Sequence, residues 1–157
     1  MGVISNDDDL ANRLRTAGIT PTSQRLSVAM VLFSEDQHLT AEDLLALMIS
    51  KDASISRATV YNTLNLFTKK GLVNELNIGK SRVIYDTNVA SHQHIYNIDS
   101  GELIDVDSKN VQVISDVELP LGTHVIGADV VIRVSNPGSQ EANSDQSSEL
   151  NVCRISK

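Results

Sequence analysis

The apolar positions change period twice along this chain. From residue 10 to residue 70 they recur at helical spacing. Leu26, Ala29, Met30 and Phe33 form one stripe, Leu44, Leu47 and Met48 a second, and Val60, Leu64 and Phe67 a third. After Gly71 the period shortens. LVNEL and SRVIYD read as strands joined by Asn77-Ile78-Gly79-Lys80. Further on, Val130, Ile132 and Val134 alternate with Val131 and Arg133, a strand apolar on both faces that wants a partner on each.

Start and stop residues agree with that partition. Asn6 caps a first helix, with Asp7, Asp8 and Asp9 at the favourable end of its dipole and Gly18 as its stop. Thr20-Pro21-Thr22 opens a second helix, with Pro in its first turn. Thr40 and Asp43 form a capping box for a third, AEDLLALMISK. Ser56 starts a fourth, RATVYNTLNLFTKKG, which Gly71 ends. VDSKNVQVISDVE reads as a short helix capped by Ser108. Four segments result: a disordered start at 1–9, a first domain at 10–87, a second at 88–135, and a polar, disordered tail at 136–157.

Helices followed by a β-hairpin are the winged-helix layout, in which the helix before the hairpin enters the DNA major groove. Arg57, Thr59, Tyr61 and Asn62 cluster near the start of that helix. Asn62 suits bidentate contact with adenine, Arg57 guanine or a phosphate, and Tyr61 a phosphate or a thymine methyl. Arg25 on the second helix and Lys80 and Arg82 on the wing suit phosphates. The same layout also serves as a protein-interaction module.

Charge modifies this picture. The chain carries a formal −7, which argues against a polyanionic partner. Residues 10–86, however, hold nine Lys/Arg against seven Asp/Glu, a net of +2. Residues 87–157 hold four against ten, a net of −6. Only the front half suits phosphates. The single cysteine, Cys153, excludes an internal disulfide framework and any CxxC clasp, and reads as a bystander. The apolar runs VAMVLF and LLALMI are too short to span a bilayer. A reducing, cytoplasmic setting without a membrane is the expectation.

Candidate metal chemistry lies in DTNVASHQHIYNIDSGELID, Asp86–Asp105. His92 and His94, at i and i+2, share one face of a strand. A two-residue turn at Ser100-Gly101 would place Tyr96 opposite Asp105 and His94 opposite Asp107, with Asp105 on the face of the imidazoles. Nitrogen with oxygen ligands suits Fe(II), Mn(II) or Zn(II). A surface hairpin with solvated histidines is the plain alternative. His124, at a strand start, reads as a half-exposed histidine without metal.

The chain resembles the ferric uptake regulator superfamily of bacterial transcription regulators. The densest likeness lies in GITPTSQRL, HLTAEDL, SRATVYNTLNLFTKKGLV and SHQHIYNIDSGELIDVD. YNTLNLF, YDTN and ADVVIRV look most like the iron response regulators among them. The resemblance implies an α+β fold: an N-terminal winged helix and a C-terminal α/β dimerisation domain. It implies a homodimer on a palindromic double-stranded DNA operator, acting in iron homeostasis. The sensing site would be His38 from the first domain with Asp86, His92, His94 and Asp105. Asp86 falls where the peroxide-sensing branch has its first aspartate, and Tyr85 where the strict ferric uptake branch has a glutamate. Fe(II) or Mn(II) is the implied metal, with Zn(II) able to take the site and haem an alternative.

The departures are specific. The first cysteine pair of the family's structural zinc falls on Asn97 and Ser100, so that zinc is expected to be absent. A further family site meets Ser91, Gln93 and Gln112 and is also expected to be absent. No Cys-Pro haem motif is present, since Arg154 follows Cys153. A peroxide-sensing or manganese-responsive regulator is the alternative within the family. A mononuclear metalloenzyme, the alternative outside it, would need an open coordination position and a general base. No Glu or His is left over for that base.

Overall fold

The computed structural model describes residues 7–51, 54–78, 83–111, 114–115, 118–126, 128–137 and 154–155. The chain divides into two compact units, Met1–Ala90 and Ser91–Lys157.

In the first unit, α1 (Asp7–Thr16), α2 (Ser23–Leu32), α3 (Ala41–Ser50) and α4 (Arg57–Lys69) surround one apolar core. Each later start is capped as its residues require. The Thr22 side chain accepts from the Arg25 amide and the Ser56 side chain from the Thr59 amide. Thr40 and Asp43 bond reciprocally as a capping box. Gly71 ends α4 at φ 67°, and Leu72 N–H then bonds the Phe67 carbonyl at 2.9 Å, satisfying a carbonyl of the last turn.

Leu14, Val28, Leu32, Leu44, Met48, Val60, Leu64 and Phe67 are wholly or almost wholly buried. Phe67 stacks on Phe33 with centroids 5.8 Å apart, and the Arg13 guanidinium lies 3.9 Å over the Phe33 ring. Burial holds the Arg13 pKa below its ordinary value, partly offset by Asp36.

Four expectations change here. α1 begins at Asp7, which agrees with the dipole reading of Asp7–Asp9 and shortens the disordered start drawn at 1–9. Pro21 precedes the cap Thr22 and lies outside the helix. Met30 and Leu47 are exposed, at 42% and 38%. α2 is apolar almost continuously, so periodicity alone could not select its buried face, which is Val28, Ala29, Val31 and Leu32. Finally, His38 lies on a strand, not in a loop. β1 (His38–Leu39), β3 (Val83–Asp86) and β2 (Asn74–Asn77) form an antiparallel sheet in that order.

In the second unit, β5 (Leu103–Asp107), β4 (His92–Asn97) and β7 (Val131–Val134) form a sheet in that order. β4 is antiparallel to β5 and parallel to β7. The expected helix after Asp105 is a single 3-10 turn, Ser108–Asn110, capped by Asp107 and not by Ser108. Beyond it, β6 (Ile114–Ser115) pairs parallel with β8 (Arg154–Ile155). Most of the tail, with Cys153, lies outside the described residues, as do Lys80, Arg82 and Gln112. Among the described residues no helix is long and apolar enough to cross a membrane.

Candidate metal centre and nucleic-acid interface

The β4–β5 register differs from the expected one by two residues. His94 pairs with Asp105, His92 with Asp107 and Tyr96 with Leu103. The reason is the turn. Asn97 N–H bonds the Glu102 carbonyl, which closes four residues instead of two. Within the loop the Asn97 side-chain oxygen accepts the amides of Asp99 and Ser100, and Gly101 supplies φ 74°. A slip of two residues preserves the face, so Asp105 stays with the imidazoles and moves directly opposite His94.

His92 Nε2 lies 2.9 Å from His94 Nε2, with ring centroids 4.5 Å apart at 65°. Asp105 Oδ1 lies 3.4 Å from His92 Nε2 and 3.7 Å from His94 Nε2. Both imidazoles are nearly buried, while Asp105 is one-third exposed. Two nitrogens at bond lengths near 2.1 Å and a right angle would stand about 3.0 Å apart on one ion. The observed spacing fits two cis ligands, and the carboxylate adds a hard oxygen.

Gln93, between the two histidines, points the other way. Its Oε1 accepts the Val130 amide at 2.6 Å, and His94 N–H bonds the Val130 carbonyl at 3.1 Å. Gln93 therefore anchors the chain entering β7 and offers nothing to the histidine face. Asn97 Nδ2 bonds Asn136 Oδ1 at 2.9 Å, and Asp99 Oδ2 accepts the Asn136 amide at 2.6 Å. These hydrogen bonds tie Asn136 to this end of the sheet.

In the first unit, His38 on β1 faces Asp86 on β3 across the antiparallel ladder. His38 Nε2 is 3.7 Å from Asp86 Oδ1, which also accepts the Asn88 amide at 2.8 Å. Asp86 is fully buried. The Gln37 amide bonds Thr87 Oγ1 and the Thr87 amide bonds the Gln37 carbonyl, which ties the two strand ends together on one side of the pair. A buried carboxylate beside an imidazole is expensive unless paired or ligated, and Asp86 is paired here with His38 and the Asn88 amide.

The polar residues of α4 divide between two faces. Thr59, Asn62 and Thr63 line a cavity of about 390 Å³ with Thr22, Ser23, Gln24 and Arg25 of the α2 start. Arg25 Nη1 bonds the Thr20 carbonyl at 2.8 Å. Arg57 and Tyr61, one turn apart, face α3 instead, and both donate to Glu42 Oε1. The Tyr61 hydrogen bond, with the Arg57 charge beside it, holds the Glu42 carboxyl below its usual range, and the same hydrogen bond to Glu42 holds the Tyr61 hydroxyl above its own. Glu42 was legible in the sequence only as a first-turn acid of α3. No local signal shows that it reaches residues fifteen and nineteen positions on.

Four helices leading into a small antiparallel sheet, followed by a second sheet with a histidine-carboxylate face, define a two-part regulator of the winged-helix class. The model of the ferric uptake regulator family matches residues 16–131, and the chain belongs to that family. It is 33% identical over 117 residues to a peroxide-responsive repressor of Staphylococcus epidermidis, covering 74% of this chain and 75% of the relative. Its fold is similar to that of the Helicobacter pylori ferric uptake regulator, with a TM-score of 0.64 and 23% identity. The alignment covers 92% of this chain and all of that one. A Pseudomonas aeruginosa ferric uptake regulator with manganese aligns at a TM-score of 0.62 and 24% identity, over 80% of this chain and 96% of that one. The family's members are metal-responsive transcription regulators and not enzymes.

Proposed function

We propose that this chain is a repressor that binds a palindromic operator as a homodimer in response to Fe(II) or Mn(II). The observation that carries the metal reading is the convergence of His92, His94 and Asp105 on one face of β4–β5. His38 and Asp86 supply a second half-set of matching chemistry. Together they offer three imidazoles and two carboxylates, a mixture for Fe(II) or Mn(II), while Zn(II) would be content with fewer oxygens. Metal that prefers the DNA-binding arrangement of the chain would shift its DNA affinity. The P. aeruginosa structure with manganese supports this choice of metal.

Haem is the weaker alternative. Two Nε2 atoms 2.9 Å apart suit cis positions on one ion, whereas a porphyrin leaves only positions on opposite sides of its plane.

The opposite face of the same sheet supports the dimer. Ile104, Ile95 and Ile132 sit side by side across β5, β4 and β7. Ile104, Ile132 and Val134 are exposed, an apolar row that a second copy would cover through a twofold axis. Arg57, Thr59, Tyr61 and Asn62 are proposed to meet DNA from α4, with Arg25, Lys80 and Arg82 on flanking phosphates.

The test is operator selection from genomic fragments, with and without Fe(II) or Mn(II) under anaerobic conditions. Metal-dependent retention of specific duplexes is expected, and retention indifferent to metal removes the proposal. A peroxide response is the second reading, favoured by the likeness to the S. epidermidis repressor. It requires that iron-loaded protein lose its operator on peroxide exposure while manganese-loaded protein keeps it.

A further inference from the structure

We propose that Glu42 is a specificity-determining residue that withholds Arg57 and Tyr61 from indiscriminate phosphate contacts. The inference rests on α4 being the recognition helix. Arg57 Nη1 lies 3.1 Å from Glu42 Oε1, and the Tyr61 hydroxyl donates to the same oxygen. Both charged partners are more than half exposed, so neither is locked by burial and both are open to an approaching phosphate.

The chemistry of the partners decides what the pairing does. A tyrosine hydroxyl has one proton to donate. In this structure that proton goes to Glu42. DNA phosphates only accept, so Tyr61 cannot hold a phosphate without leaving the carboxylate. The guanidinium has further N–H groups, but its charge is already half-answered by Glu42. A phosphate approaching the pair meets a carboxylate of its own sign.

Any duplex offers phosphates, and such contacts carry affinity without sequence information. Glu42 lowers that general affinity. It leaves the Tyr61 ring edge to meet the groove and leaves the second face of α4, with Thr59 and Asn62, untouched. On the operator, base contacts from Thr59 and Asn62 fix a docking in which Arg57 and Tyr61 stay on Glu42, so the carboxylate costs little there.

The experiment measures wild type, Glu42→Gln and Glu42→Ala on a selected operator and on a scrambled duplex across a salt series. Expected is a roughly tenfold gain on the scrambled duplex, equivalent to about 1.4 kcal/mol. The salt slope should steepen by about 0.9 as one phosphate contact is gained. Operator affinity should change less, so the operator-to-scrambled ratio falls, further for Ala than for Gln, whose amide oxygen still accepts. Adding Arg57→Gln to Glu42→Ala should erase most of the gain.

An unchanged or increased ratio overturns the role of Glu42, as does a gain that persists in full without Arg57. Tyr61→Ala and Asn62→Ala separate the two layers. If both leave operator binding intact, the recognition-helix reading falls and Glu42 with it. If both abolish it while Glu42→Ala leaves the ratio alone, only the Glu42 proposal is lost.

Discussion

The two units invest their apolar residues in opposite ways. In the first, the large apolar side chains of four helices turn inward around Phe67, Leu64, Leu44 and Leu32, all fully buried. In the second, the described buried residues are Gln93 and His94, while Ile98, Ile104, Ile132 and Val134 face outward. The first unit is organised by its own hydrophobic core. The three-stranded sheet of the second carries His92, His94 and Asp105 on one face and an exposed apolar row on the other. An exposed apolar row of that kind gains stability from whatever covers it. The first unit carries its own apolar core, and the second leaves an apolar row exposed.

That contrast can be broken most forcefully at the core. Phe67→Ala removes a fully buried ring and its stack on Phe33. A loss of about 3–5 kcal/mol is expected in urea unfolding monitored on the helices. A loss below about 1 kcal/mol would mean that the first unit draws its stability from elsewhere.

Next comes the ligand face. His94→Ala should weaken Mn(II) binding more than about 100-fold, beyond the 10–100-fold typical of an outer-shell change, with little change in helix content. Isothermal titration measures the first and circular dichroism the second. His38→Ala should weaken the same binding event. Two independent events, only one of them sensitive to His38, would show two separate sites.

The apolar row gives a smaller effect of a different kind. Ile104→Asp with Ile132→Asp should raise the dimer dissociation constant at least about tenfold by sedimentation, since a buried charge without a partner is unfavourable. The helical unit should keep its unfolding midpoint when the two transitions are resolved. Loss of both together would contradict the division of labour.

Smaller again is the capping box. Thr40→Ala should cost about 1 kcal/mol, without altering metal binding. The smallest effect concerns pH at Glu42 and Tyr61. The Tyr61 pKa is raised above its ordinary 10.0, so its share of stability is present below that value and lost as pH rises through the shifted one. The Glu42 pKa is lowered from its ordinary 4.5, so its share is present above that value and lost as pH falls through the shifted one. The pair is thus intact at neutral pH. Ultraviolet titration should show a tyrosine ionising late in wild type and earlier in Glu42→Ala.

Much of the first unit was legible because its signals are local. Thr40 with Asp43, Ser56, Gly71 and the stripe of Val60, Leu64 and Phe67 each act within one or two turns of chain. What escaped was non-local. β1 is two residues long and exists because His38 and Leu39 pair with Asp86 and Tyr85, nearly fifty positions away. Nothing in EDQHLT announces it. The exposed placement of Met30 escaped because α2 offers apolar residues on nearly every side. In the candidate site, the i,i+2 spacing put both imidazoles on one face correctly, and the face of Asp105 followed. The register did not, because Ser100-Gly101 resembled a two-residue turn while Asn97 closes a longer one with its own side chain. The error was an even number of residues, so the chemistry survived it.

The central claim is that one histidine-carboxylate site governs DNA binding. The most direct measurement is an anaerobic Fe(II) and Mn(II) titration followed by operator binding, on wild type and on the His92→Ala, His94→Ala double variant. Wild type should gain operator affinity as metal is added, and the folded double variant should bind weakly at every metal concentration. A double variant that responds to metal like wild type would contradict the account.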